Sequence, residues 1–242
     1  MVVGELSLIL GITTAVVGGV AYFIQNLSRR DTFFRDCSKS LYSTNPTEQI
    51  TAAIMLRNYV KRIGYAKRTK NLMVALLRTS IPVTLQKVIA DVFSYARHLN
   101  GQDMQHINMI GALIKPKSRI KYELTKKKIY KYFRLSMKQA DFYQAIIKDC
   151  SINNVNATKA VFYCSNLSGT SFRNCILNDA NFMGANVKNV RFDDDCSLEG
   201  AIFDGAIGLE EAKVGSGQNA HSLIQRLDKN GVYHKKNTEG NI

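Results

Sequence analysis

The sequence predicts an α+β chain in three parts: an N-terminal membrane-spanning helix, an all-α domain of short helices, and a four-sided coil of five-residue sides. Three observations carry that expectation. Residues 140–206 repeat with a period of five, Leu6–Ile24 runs for nineteen residues without a charge, and the formal net charge of +14 is concentrated between those two stretches. By segment, residues 1–28 carry −1, 29–135 carry +16, 136–208 carry −2 and 209–242 carry +1.

Residues 1–28 are expected to form a transmembrane anchor. Nineteen residues rising 1.5 Å each span roughly 29 Å, close to the hydrocarbon thickness of a bilayer. A cleaved secretory signal fits less well, because the preceding MVVGE has no Lys or Arg. With Glu5 before the span and Arg29 and Arg30 after it, the positive-inside rule predicts a single-pass protein with its N-terminus outside and its bulk in the cytoplasm. Gly11, Ala15 and Gly19 are four residues apart and share a helix face, a candidate surface for self-association of membrane helices. The five cysteines form no closely spaced disulfide framework, which agrees with a reducing compartment.

Residues 29–131 read as a basic α-helical domain. Asn45-Pro46-Thr47-Glu48 combines an N-cap residue, Pro at the first helical place and Glu three after the cap. The run behind it puts Ile50, Ala53, Ile54, Leu56, Val60 and Ile63 roughly on one side. Asn71–Leu77 is a second helical run. Ser80-Ile81-Pro82 starts another, with Leu85, Val88, Ile89, Val92, Phe93 and Ala96 at spacings of three and four. Met104–Ile114 is expected to be a further helix, stopped by Lys115-Pro116. The runs QITAAIMLRNYV and LQKVIADVFSYA loosely resemble HEAT or armadillo helix pairs.

The basic surplus lies at the ends of this region, in Lys67, Arg68 and Lys70 and again from Lys115 to Arg134. One reading is a solvated face. A second is contact with anionic lipid headgroups through Arg29, Arg30, Lys67, Arg68, Lys70, Lys126, Lys127 and Lys128, each contributing about 1 kcal/mol beside a bilayer. A third is nucleic acid, for which Tyr122, Tyr130, Tyr132 and Phe133 among the lysines speak. A membrane tether counts against the third.

Residues 132–208 hold the repeat. The third place of each five is Phe142, Ile147, Ile152, Ala157, Phe162, Leu167, Phe172, Leu177, Phe182, Val187 and Phe192, then Leu198 and Phe203 after a slip of one. All are apolar, the first place is nearly always small, and the rest are mostly polar. A period of five fits neither a helix nor a strand. A square coil of twenty residues per turn does fit, because Ala140, Ala160, Ala180 and Ala201 then form one ladder and Phe142, Phe162, Phe182 and Phe203 another. The extra residue among Asp193, Asp194 and Asp195 is expected to bulge at a corner, solvated rather than acting as an acid/base or cation site. Cys175 and Cys196 occupy equivalent inward places and read as small apolar fillers.

Ala140-Asp141-Phe142, Ser165-Asn166-Leu167 and Ala180-Asn181-Phe182 closely resemble the motif of the pentapeptide-repeat proteins. That resemblance implies a right-handed quadrilateral β-helix. One branch of the family protects DNA gyrase with a strongly acidic coil that mimics DNA. The near-neutral repeat here speaks against that role.

Residues 209–242 are expected to cap the open end of the coil, with short helices at Leu209–Ala212 and His221–Leu227 and a disordered tail from Asp228. The four histidines, His98, His106, His221 and His234, are scattered, with no HExxH, CxxC, GxSxG or phosphate-binding loop. No catalytic, cofactor or metal residue is expected. The reading is a non-enzymatic, membrane-anchored scaffold that binds protein partners, with homo-oligomers as a further expectation and nucleic acid disfavoured. The alternative is an oligomerising membrane effector or sensor, as in a bacterial defence system.

Overall fold

The computed structural model describes residues 2–96, 98–115, 119–124, 127–132, 135–215 and 221–233, with side chains omitted for 2–19, 119–124, 127–132, His221 and Ile224. It divides into two compact units, Met1–Ala52 and Ala53–Ile242.

In the first unit, α1 runs unbroken over Val2–Ser40. Beyond Ile24 it continues through Arg29, Arg30, Asp31, Arg35, Asp36 and Lys39, a stretch far too charged for a bilayer interior. Among the described residues, no helix is long and apolar enough to cross a membrane. That finding overturns the expected single-pass location, with its outside N-terminus and cytoplasmic bulk. Gly11, Ala15 and Gly19 fall outside the described side chains.

The start of α2, Pro46–Leu56, is built as its sequence dictates. The Asn45 side chain accepts a hydrogen bond from the Thr47 N–H at 2.9 Å, satisfying one of the donors that every helix start leaves open. Glu48 accepts a hydrogen bond from the Ser43 hydroxyl, which in turn accepts one from the Asn45 N–H. The expected capping carboxylate therefore acts through a serine relay.

The second unit opens with a 3₁₀ turn at Tyr59–Lys61, then α3, Ala66–Leu77, and α4, Val83–Ser94. These helices do not stack in HEAT-like pairs. Ile54 and Ile63, expected on the apolar side, are exposed, and α4 lies instead against the first strands of the coil. Its buried stripe is Leu85, Ile89, Val92 and Phe93.

Those strands are β1, Asn108–Ile110, and β2, Leu113–Ile114, where a helix is expected from the sequence. An antiparallel hairpin follows, β3, Arg119–Leu124, with β4, Lys127–Tyr132. The coil resumes with β5, Leu135–Ser136, β6, Ile146–Lys148, β7, Ser151–Asn153, and β8, Val155–Asn156. Then come β9, Ser171–Arg173, β10, Arg191–Phe192, β11, Lys213–Val214, and β12, His221–Ser222.

Every pairing between coil turns is parallel. β2, β7, β9, β10 and β11 stack in that order along one side, β1 pairs with β6, and β5 with β8. The first pairing is His98 with Ser136, so the coil begins well ahead of residue 132. Its first turn carries Leu99, Met104, Met109 and Ile114, all buried and five residues apart. Partners are usually twenty residues apart, as in Ser151 with Ser171, whereas Leu113 pairs with Ser151 across the inserted hairpin. Across the aspartates the spacing becomes twenty-one, as in Ile176 with Ser197, and between β10 and β11 it is twenty-two, as in Arg191 with Lys213. The extra residue therefore sits at a corner and leaves the inward places in register.

A parallel coil exposes unpaired backbone groups and apolar side chains at each end, and both ends are closed here. At the start, the buried Gln86 side chain accepts the Ile110 N–H at 2.9 Å and the buried Ser94 hydroxyl accepts the Lys115 N–H at 3.1 Å. Arg78 donates to the Gln105 carbonyl and to Asp103, and Lys70 donates to the His98 carbonyl. At the far end, β12 runs antiparallel to β11, and Val232 runs antiparallel to Ile202. The Phe203 N–H donates to the Gly231 carbonyl at 2.7 Å, and the Tyr233 N–H to Ala201 at 2.8 Å. Asp228–Tyr233, expected as tail, is thus part of the cap, and a 3₁₀ turn at Leu223–Arg226 stands in for the expected helix. Gly231 has φ +70°, and a Cβ there would lie 2.8 Å from the Asp204 nitrogen, so the cap requires glycine.

Gln86→Ala should destabilise the protein by about 1–3 kcal/mol, the cost of stranding a half-buried backbone donor. A denaturant midpoint measures it. An unchanged midpoint would mean that water replaces the amide oxygen and that the contact is not an edge cap.

Candidate interaction surface

Each side of the coil is a five-residue unit with a fixed division of labour. The third-place side chain points to the axis and the first-place one packs beside it. The second-place N–H donates to the turn before and the third-place N–H to the turn after, as in Asn181 to Ala160 at 2.9 Å and Phe162 to Asn181 at 2.7 Å. The fifth place is in the left-handed region nearly throughout, from Gln139 through Asp149, Asn154, Asn174 and Asp179 to Asn189. Asn, Asp and Gly tolerate that conformation best. Second-place Asp and Asn have a separate reason. Their Oδ1 accepts the N–H two residues on, as in Asp141 to Tyr143, Asn166 to Ser168, Asn181 to Met183 and Asn186 to Lys188, which closes the corner locally.

Inside, Ala140, Ala160, Ala180 and Ala201 are fully buried, and Phe142, Phe162, Phe182 and Phe203 nearly so. The rings stack at 4.9, 4.9 and 4.6 Å, within 5° of parallel, which is the spacing of the backbone ladder itself. Phe172 and Phe192 form a second stack at 5.1 Å, edge-on to the first. An apolar void lies on the axis, lined by residues such as Met109, Met137, Phe142, Ile152 and Leu177. Its lining is apolar apart from Cys175, whose thiol is engaged with the Ile152 and Arg173 carbonyls.

The five cysteines are free thiols. Burial pushes the Cys150 thiol up to about 11. The hydrogen bond to Cys175 on the turn before, together with burial, pushes the Cys196 thiol up as well. Thiols so disfavoured as thiolates are poor nucleophiles. Asp193 uses its Oδ1 to accept the N–H groups of Asn174 and Asp195, which makes it a corner-closing residue. Among the described residues, no group of three His, Cys, Asp or Glu side chains could hold a metal ion. His98 lies exposed on the first turn, and His106 occupies a left-handed corner with its ring edge-on to Tyr143 at 5.7 Å. His234 lies outside the described residues.

The basic residues singled out from the sequence lie on several elements. Arg30 donates to the Asn26 carbonyl within α1. Lys67, Arg68 and Lys70 lie on α3, where burial and the neighbouring Lys67 lower the Lys70 ammonium from its ordinary value. Lys127 and Lys128 lie on β4, and Lys126 falls outside the described residues.

What remains is an outward surface that the repeat reading did not single out. On the side whose third places are the stacked phenylalanines, the fourth places are Tyr143, Tyr163, Met183 and Asp204. The two tyrosine rings stack at 5.7 Å and 12°, with Tyr163 41% exposed. Val161 and Ile202 stand in second places on the same side, each half-buried. Ile146 and Ile207, on the next side, are exposed. The signal was available in the sequence, since Tyr143 and Tyr163 are twenty residues apart.

A family model described as pentapeptide repeat region matches residues 131–203. No curated protein matches the chain. Several solved structures of pentapeptide-repeat proteins resemble it. Rfr23 from the cyanobacterium Cyanothece 51142 is 18% identical, with 50% of this chain and 92% of that one covered and a TM-score of 0.27. HetL from Nostoc sp. strain PCC 7120, described as involved in regulation of heterocyst differentiation, is 20% identical, with 48% and 50% covered and a TM-score of 0.19. A protein from the Arabidopsis thaliana thylakoid lumen is 19% identical, with 47% and 66% covered and a TM-score of 0.22. This chain thus spans half the length of HetL and nearly all of Rfr23.

Proposed function

We propose that this pentapeptide-repeat chain is a non-enzymatic protein-interaction module whose contact surface is the side of the coil bearing Tyr143, Tyr163 and Met183. The stacked tyrosine pair carries the reading. Two aromatic rings held outward at 5.7 Å present a large amphipathic contact area, and the residue types favoured at interface centres are Tyr, Trp, Phe, Met and Arg. The ladder behind them fixes their positions before any partner arrives, which lowers the ordering cost of association.

Tyr143→Glu/Tyr163→Glu should abolish partner capture without unfolding the coil, since both side chains face outward. The test is a pull-down with tagged full-length protein from its native cell, wild type against variant. Alkylation of Cys164, the exposed thiol beside Tyr163, serves as a footprint. The expected result is a protein that co-purifies with wild type, is lost from the variant and shields Cys164. A partner retained by the variant, or a Cys164 equally reactive in the complex, would remove this side as the contact surface.

A further inference from the structure

We propose that the hairpin β3–β4 is a ribbon for single-stranded nucleic acid, gripping phosphates with its cations and stacking bases on its tyrosines. Residues 115–134 hold nine Lys and Arg against one Glu, so more than half of the chain's net charge lies in twenty residues. The coil does not need them. Removing eighteen residues would restore the ordinary spacing of twenty, because Leu113 pairs with Ser151 where Ser151 pairs with Ser171. A segment dispensable to the ladder yet so uniformly charged is placed for an anionic partner.

The pairing register sorts these residues. Arg119 is opposite Tyr132, Lys121 opposite Tyr130, and Glu123 opposite Lys128, and such alternate cross-strand pairs share one face. That face combines three cations and one carboxylate with two aromatics. The other combines Ile120, Tyr122, Leu124 and Ile129 with Lys127 and Lys131. An acidic protein would be met by cations alone, whereas cations alternating with aromatic rings match the phosphates and bases of a single strand. Six-residue strands extend for about 20 Å, room for a few nucleotides. The sequence-based objection to nucleic acid was a membrane tether, and no described helix supports one.

Anisotropy of fluorescein-labelled 12-mers of poly(U) and poly(dT) with the full-length protein tests this, alongside a 12-base-pair duplex. Single strands should bind more tightly than the duplex. Their affinity should fall with salt at a log–log slope of about −2, at about −0.7 per phosphate contacted for the three cations of the tyrosine-bearing face. Arg119→Ala/Lys121→Ala/Lys128→Ala should lose at least tenfold and flatten that slope. Tyr130→Ala/Tyr132→Ala should also lose at least tenfold on single strands, with the slope kept. A chain lacking residues 117–134 should melt as wild type does and not bind. Absence of salt-dependent binding, tyrosine substitutions without effect, or equal competition by polyglutamate would each overturn the proposal, the last in favour of an acidic protein.

Discussion

Phe182→Asp should abolish the cooperative unfolding of the coil. The Phe182 ring is fully buried, stacked at 4.9 Å on Phe162 and 4.6 Å on Phe203, and edge-on to Phe192 at 6.1 Å. Truncating a buried Phe costs about 3–5 kcal/mol. Aspartate adds a carboxylate with no partner on an axis lined by apolar side chains, which costs several kcal/mol more. The total approaches the whole stability of an ordinary domain, about 5–15 kcal/mol. A repeat stack is also vulnerable through its neighbours, because each turn is held only by the turns beside it. Circular dichroism on heating checks the outcome. A melt like that of wild type would refute the stacking of these rings.

The turns from Ala140 onward were legible because each residue type has a local cause. Axis filling demands the apolar third place and close packing the small first place, while Asp or Asn in the second place and Asn, Asp or Gly in the fifth are favoured rather than required: Val161 and Ile202 stand in second places, and Gln144, Lys159 and Cys164 are left-handed in fifth places. The first turn obeys the same physics and was still read as helix. Met104, Ile107, Met109, Ile110 and Ile114 fall at spacings that a helix face also satisfies, and short apolar runs do not decide between the two. The hairpin also separates this turn from its partner, so no twenty-residue ladder reveals it. The corners hold the missing clue. Gly101, His106 and Gly111 are five apart and all left-handed.

The anchor expectation rested on the uncharged run and its flanking charges, and among the described residues no helix is long and apolar enough to cross a membrane. The proposed contact side was missed for a different reason. Repeat analysis attends to inward places, whereas Tyr143 and Tyr163 occupy outward places where sequence is free to vary and a function can be written.

A single inserted residue should be tolerated beside Asp194 and not beside Phe172. At Asp194 the chain already departs from the five-residue rule. The turn is closed by the Cys196 N–H on the Asp193 carbonyl at 3.0 Å, and Asp194 and Asp195 are exposed. Lengthening such a loop costs a few tenths of a kcal/mol. Phe172 sits within β9, paired on both sides with β7 and β10. There, one added residue turns the following side chain to the opposite face. It also misaligns the hydrogen bonds from the Asn154 N–H to Arg173 and from the Asp193 N–H to Phe172, and separates the stacked rings of Phe172 and Phe192. Losing about 3 kcal/mol or more would lower the melting temperature by about 10 °C, at about 2–4 °C per kcal/mol for a chain of this size. The Asp194 insertion should stay within about 2 °C of wild type on the same scale. Equal losses at the two sites would mean that the corner is as constrained as the strand. The aspartate bulge would then be an obligatory part of the ladder rather than slack at its edge.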